Sequence, residues 1–134
     1  MLWRMVMRVI LTILFFILSS AALAKSCPAS PANEANECLS AELANLESLL
    51  NKQFKSMRTG VPENDPDDVK MARDLLIKSQ NSWISYRNAH CEYVGFMEGG
   101  VAAYKNVRKL QCMVHETLDH DNELKRLSKN YNGN

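Results

Sequence analysis

The chain is predicted to be all-α, a small three-helix up-down-up bundle stapled by two disulfides. Three observations predict that class. Apolar residues recur at helical steps of three and four in three long segments. No segment alternates with period two for long enough to build a sheet. Four cysteines, Cys27, Cys38, Cys91 and Cys112, lie in a chain that opens as exported chains do, and an even count in a small exported domain reads as a disulfide framework.

The opening is MLWRMVMRVILTILFFILSSAALAKS. Arg4 and Arg8 form a basic start, Val9 to Leu18 an apolar run, and Ala22-Leu23-Ala24 the small-residue pattern that a signal peptidase cuts after. The apolar run is about half the roughly 20 residues needed to span a bilayer. Residues 1–24 are therefore expected to be a cleaved signal peptide, and residues 25–134 one domain with no membrane segment of its own. Losing Arg4 and Arg8 leaves 14 basic against 15 acidic residues. That balance excludes the basic footprint of a nucleic-acid binder.

The first helix is expected from about Asn36 to Met57, carried by Leu39, Leu43, Leu46, Leu50 and Phe54 on one stripe. Gly60, Pro62 and Pro66 break it within TGVPENDP. Asp65 then reads as an N-cap with Pro66 in the first helical position, and the acids Asp67 and Asp68 suit the positive end of the dipole. This second helix should run to about Cys91 or Tyr93, with Val69, Leu76, Trp83 and Arg87 on one face and Gln80 and Cys91 beside them. GFMEGGVAAY reads as a glycine-marked connection. The third helix is expected from about Lys105 to Ser128, with Leu110, Met113, Thr117, His120, Leu124 and Leu127 on its stripe.

An up-down-up path gathers all four cysteines at one end. Cys38 and Cys112 then sit at similar depth in parallel helices, which favours the pairs Cys38–Cys112 and Cys27–Cys91. The alternative, Cys27–Cys38 with Cys91–Cys112, closes shorter loops. Polar residues on core stripes need partners. Counting from the turns places Glu47 and His120 at equal height as a cross-core pair, and Arg87 lower, near Gln111 and Cys112, with Trp83 covering its stem; the alternative is that Arg87 is a surface residue whose stem packs on the indole while its charge stays in water.

Catalytic and metal chemistry find little footing. His90 and Cys91 are adjacent and so point about 100° apart on a helix, and a cysteine in a disulfide is no nucleophile. Glu116 and Asp119 are an ordinary helical pair of acids. There is no CxxC, HExxH, GxSxG or phosphate-binding loop. No enzyme activity, metal or cofactor is expected. Two surfaces stand out instead: the acids Glu63, Asp65, Asp67 and Asp68, read as a solvated helix start or a docking patch for a cationic partner, and the stretch Phe96, Met97, Glu98, Gly99, Gly100, read as a mobile loop whose apolar side chains either fold back over the bundle end or are buried against a partner.

The motif residues bring a resemblance. A cysteine, an acid and a Leu-Asn pair on the first helix are followed by Q-x-x-W-x-x-[YF]-R-[DN]-x-x-C, a Gly-Gly element and C-x4-T-x2-R-x3-L. The pattern resembles the LprI-like family of exported bacterial proteins. Cys38, Glu47, Leu50, Asn51 and Phe54 match its first part. Gln80, Trp83, Tyr86, Arg87, Asn88 and Cys91 match the second, and Gly99, Gly100, Cys112, Thr117 and Leu124 the third. Glu47 stands where the family commonly has Asp, and His120 where it commonly has Arg. The resemblance implies a periplasmic helical domain whose motif residues are mainly structural, and one branch of the family inhibits lysozyme. The expected partner is therefore lysozyme or another envelope protein; the alternative function is an envelope interaction or structural protein with no enzyme target.

Overall fold

The structure is a computed structural model, which describes residues 26–61 and 65–132. The signal-peptide expectation falls on residues 1–24 and so lies outside the described residues, as does Glu63 of the acidic turn. Three helices follow one another: α1 (Ala32–Thr59), α2 (Pro66–Glu98) and α3 (Ala102–Asn132). They run up, down and up. Among the described residues there is no strand, and no helix is long and apolar enough to cross a membrane.

Local chemistry sets the ends. Asp65 caps α2 by accepting from the Asp67 backbone N–H at 2.9 Å, with Pro66 in the first turn. At the end of α1 the Gly60 N–H returns to the Ser56 carbonyl, and Arg73 reaches across from α2 to bond the Arg58 carbonyl at 3.1 Å. That bond satisfies one of the carbonyls a helix end leaves unpaired.

Two boundaries differ from expectation. α1 begins a turn earlier, because Pro31 lies just ahead of Ala32 and the added turn buries Ala35 completely. α2 runs on through Gly95, Phe96, Met97 and Glu98, leaving only Gly99 to Val101 as the connection. Gly95, read from sequence as punctuation, is a packing contact. A Cβ built there would lie 2.7 Å from the Lys105 carbonyl oxygen and 2.9 Å from the Lys109 Cβ. At Gly99 it would lie 2.2 Å from the Lys105 Cα. Both glycines let α2 and α3 close on each other. The third, Gly100, has φ +63° and open space around it; its need is conformational.

α3 is the spine. It packs closely on both other helices, whereas α1 and α2 touch each other sparingly. The apolar core sits between α1 and α3 near the α2–α3 connection: Ala35, Leu39 and Leu43 meet Val107 and Leu110, with Cys27, Ala32, Met113 and Val114 around them. Leu50 and Leu124 continue it upward. The buried face of α2 is Val69, Gln80, Arg87, Cys91 and Gly95, most of it polar or small.

The disulfides are Cys27–Cys38 and Cys91–Cys112, so the favoured pairs Cys38–Cys112 and Cys27–Cys91 are corrected to the alternative. The reason is register. Asn106 donates to Asn36, 70 residues behind it, across the parallel pair α1 and α3. Cys38 is therefore level with Arg108, about a turn below Cys112. Cys112 faces α2, where the short connection brings Cys91 to equal height. Cys27 lies just ahead of α1 and folds back onto its second turn.

Candidate functional site: an internal polar clamp and an exposed apolar tip

The motif residues assemble halfway up the bundle. Arg87 is 5% exposed and stands where all three helices meet. Its Nη2 lies 2.8 Å from the Glu47 Oε1 on α1, and its Nη1 donates to the Thr117 hydroxyl on α3 at 2.8 Å. Nε and Nη2 also donate to the Asn88 Oδ1 at 3.2 and 3.1 Å. Thr117, fully buried, passes its own proton to the Met113 carbonyl at 2.7 Å. One guanidinium thus binds three helices, a geometry only arginine's planar fork supplies.

Above it stands a stack. The Arg87 guanidinium lies 5.1 Å from the Trp83 ring centre, and Trp83 stacks on His120 at 4.0 Å with planes 11° apart. His120 Nε2 lies 2.8 Å from the Gln80 Oε1, an oxygen that can only accept, so the ring donates from Nε2. Burial holds the His120 pKa below its ordinary value; Glu123 and Asp121 push it back up, and Arg87 lowers it further. The expected Glu47–His120 pair is not made. Glu47 reaches Arg87, which stands a good turn higher than its sequence placement near Gln111, and His120 turns toward α2. Trp83 is half-buried.

The remaining motif residues divide. Leu50 and Leu124 are buried. Asn51 is exposed, and Tyr86 is exposed and stacks on His90 at 5.3 Å. One buried group was missed from sequence: Asp121, 2% exposed, pairs with Lys125 at 2.5 Å through Oδ2, while its Oδ1 has no hydrogen-bond partner among the described residues. Its position one turn beyond Thr117, on the same stripe, was the available clue.

The stretch expected to bind a partner sits at the end of a rigid hairpin and not on a mobile loop. Phe96 and Met97 occupy the last turn of α2, 66% and 60% exposed, and Val101 beside them is 69% exposed. Lys105 Nζ sits 4.2 Å above the Phe96 ring. Glu98 is exposed, Gly99 is buried against α3 and Gly100 faces open space. Tyr104, with Val101 missed from sequence, meets Ser30 of the lead-in through its hydroxyl at 3.3 Å. Pairing between Lys109 and Glu92 and the Cys91–Cys112 bridge hold the hairpin shut just behind the tip.

No group of His, Cys, Asp or Glu among the described residues could hold a metal ion. The fold and its clamp define a small disulfide-stapled helical domain in which the shared motif binds helices together. The chain belongs to the LprI family, whose model, described as "Lysozyme inhibitor LprI", matches residues 24–124. Its two disulfides fit an extracytoplasmic location. Neither the curated proteins nor the solved structures gave a match.

Proposed function

We infer that the protein is exported to the periplasm, its first 24 residues serving as a cleaved signal peptide, and there binds and inhibits a lysozyme-type muramidase without catalysing a reaction itself. The observation that carries the reading is the α2–α3 tip. Phe96, Met97 and Val101 are three large apolar side chains exposed side by side on a stapled hairpin. Apolar anchors of this kind dominate binding energy when a partner covers them.

A muramidase cleft is lined by two carboxyl groups and shaped for a sugar chain. An inhibitor must plug or cover it. The three-residue connection and the last turn of α2 make a narrower wedge than the bundle's sides, and Lys105 over Phe96 brings a cation toward those carboxylates. The acidic residues Asp65, Asp67 and Asp68 stand at the opposite end and would repel them.

The test is a lysozyme assay with the parent and with Phe96→Ser/Met97→Ser. Loss of two apolar anchors is expected to weaken inhibition at least about tenfold, or ~1.4 kcal/mol. Equal inhibition by the two proteins would remove the tip from the interface. A parent that does not inhibit leaves an envelope-binding role with a different partner.

A further inference from the structure

The two disulfides tie different parts of the fold. Cys91–Cys112 joins α2 to α3, whereas Cys27–Cys38 joins the lead-in to the second turn of the helix that follows it and crosses to no other element. Cys91 is fully buried. Cys27 and Cys38 are both half-buried, and of residues 26–31 Cys27 alone is not exposed. Besides the bridge, the lead-in has the packing of Cys27 against the α1–α3 cluster and one hydrogen bond, at 3.3 Å between the Ser30 and Tyr104 hydroxyls.

A disulfide resists reduction in proportion to the effective concentration at which its two freed thiols still face each other. Packing keeps Cys91 and Cys112 together without their bond. Gly95 and Gly99 press on Lys105 and Lys109, Lys109 pairs with Glu92, and Arg87 bonds Thr117. The two Cα atoms therefore stay near their present 5.4 Å. Among the described residues nothing comparable holds Cys27. Once freed it leaves with an exposed segment, and closure has to start again from a loose chain.

We propose that Cys27–Cys38 is a reducible clasp: a dithiol opens it while Cys91–Cys112 and the bundle stay intact, and opening uncovers apolar surface that extends the tip. In the exchange the two S–H groups of the dithiol become its own S–S bond. The Cys27–Cys38 bond takes up the two electrons, and each of its sulfurs one proton. What the lead-in covers lies in line with the tip. Val101, Tyr104 and Val107 follow at three-residue steps along α3, which makes them neighbours on its surface. Their exposure falls from 69% through 37% to 3%. The cover leaves with the lead-in: Ser30 from Tyr104, and Cys27 from the cluster that contains Val107. A longer apolar surface gives a partner more to bury. This gain in binding rests on the reading of the tip given above; the clasp itself does not.

The experiment titrates the oxidised protein with dithiothreitol to equilibrium, traps thiols by alkylation and maps them by peptide mass. Cys27 and Cys38 should open at a dithiol concentration at least about tenfold below that needed for Cys91 and Cys112, with unchanged helical circular dichroism. Four cysteines that open together, or Cys91 and Cys112 opening first, overturn the proposal. Cys27→Ser/Cys38→Ser keeps the clasp open without reductant. Its hydrogen exchange should rise around Ala35 to Leu39 and Tyr104 to Leu110 and stay unchanged around Cys91; exchange equal to the parent's throughout overturns the uncovering. Against lysozyme the open variant should inhibit at least about threefold more tightly than the parent, and equal or weaker inhibition overturns the extension of the tip. A parent that does not inhibit overturns the tip reading and the gain in binding together, while alkylation and exchange still decide the clasp.

Discussion

Arg87 and Glu47 are unequal partners in one ion pair. The arginine side chain is 6% exposed and the glutamate 40%. Removing the partner of a buried charge costs about 3–5 kcal/mol, because the charge is left without compensation. Glu47→Ala strands the guanidinium, with some relief from the water that already reaches this site, and should cost about 2–3 kcal/mol. Arg87→Met leaves a glutamate that can turn to solvent and a threonine still bonded to Met113, and should cost about 1 kcal/mol. Urea unfolding of the two variants checks the order; a costlier Arg87→Met would mean that the pair's strength resides in packing on Trp83. His120 supplies a pH response at the same site. Its ring is held neutral by burial, below the ordinary value of 6.5. The unfolded chain therefore takes up the proton first as pH falls, so stability is full above about 6.5 and declines below it, down to the folded value. Between about pH 7 and 5 the parent should lose more stability than His120→Gln. Parallel melting curves would refute the link. Glu123, held low by its bond to Arg126, responds only in the more acid carboxylate range.

At the scale of elements, α2 is the informative helix. Its cap and proline announced where it starts, and the structure agrees to the residue. Its end was not legible, because Gly95 and Gly99 look identical in sequence to glycines that break helices. What distinguishes them is α3, pressed against their missing side chains, and that contact exists only in three dimensions. Gly99→Ala must push Lys105 away from a 2.2 Å contact, and should cost more than 2 kcal/mol, at the upper end of overpacking. Gly100→Ala meets open space and costs only the left-handed backbone, about 1–2 kcal/mol. Thermal unfolding of the two decides; a milder Gly99→Ala would mean the hairpin is looser than drawn. The same reasoning explains why Phe96 and Met97 could be named from sequence while their setting could not: exposure follows residue type and face, but a loop and a last helical turn share composition.

For the whole molecule, periodicity was enough for three helices in an up-down-up path and for the apolar stripe of α1, where Leu39, Leu43 and Leu50 are buried. Partner choice between helices was not, since a one-turn error in relative height exchanges one set of partners for another. That error moved Arg87 too low, joined Glu47 to His120 and tied Cys38 to Cys112. The observed bridges close loops 11 and 21 residues long and should contribute roughly 3 kcal/mol each through the unfolded chain. Both lie toward the same end of the bundle, with the apolar cluster of Ala35, Leu39, Leu43, Val107 and Leu110. The far end rests on far less: between Val69 and Gln80 no residue of α2 is buried, and Gln53 meets Ser128 through a single hydrogen bond. Local opening should therefore be graded along the long axis. Native-state hydrogen exchange is expected to be slowest around Cys91 and Cys112 and fastest in the first three turns of α2; uniform protection would contradict the gradient. Breathing confined to one end means that the opposite end has little freedom left to lose. A partner closing over Phe96 and Met97 would meet a surface already ordered, and its residence time would be set by the contacts it makes and not by the cost of stilling the chain.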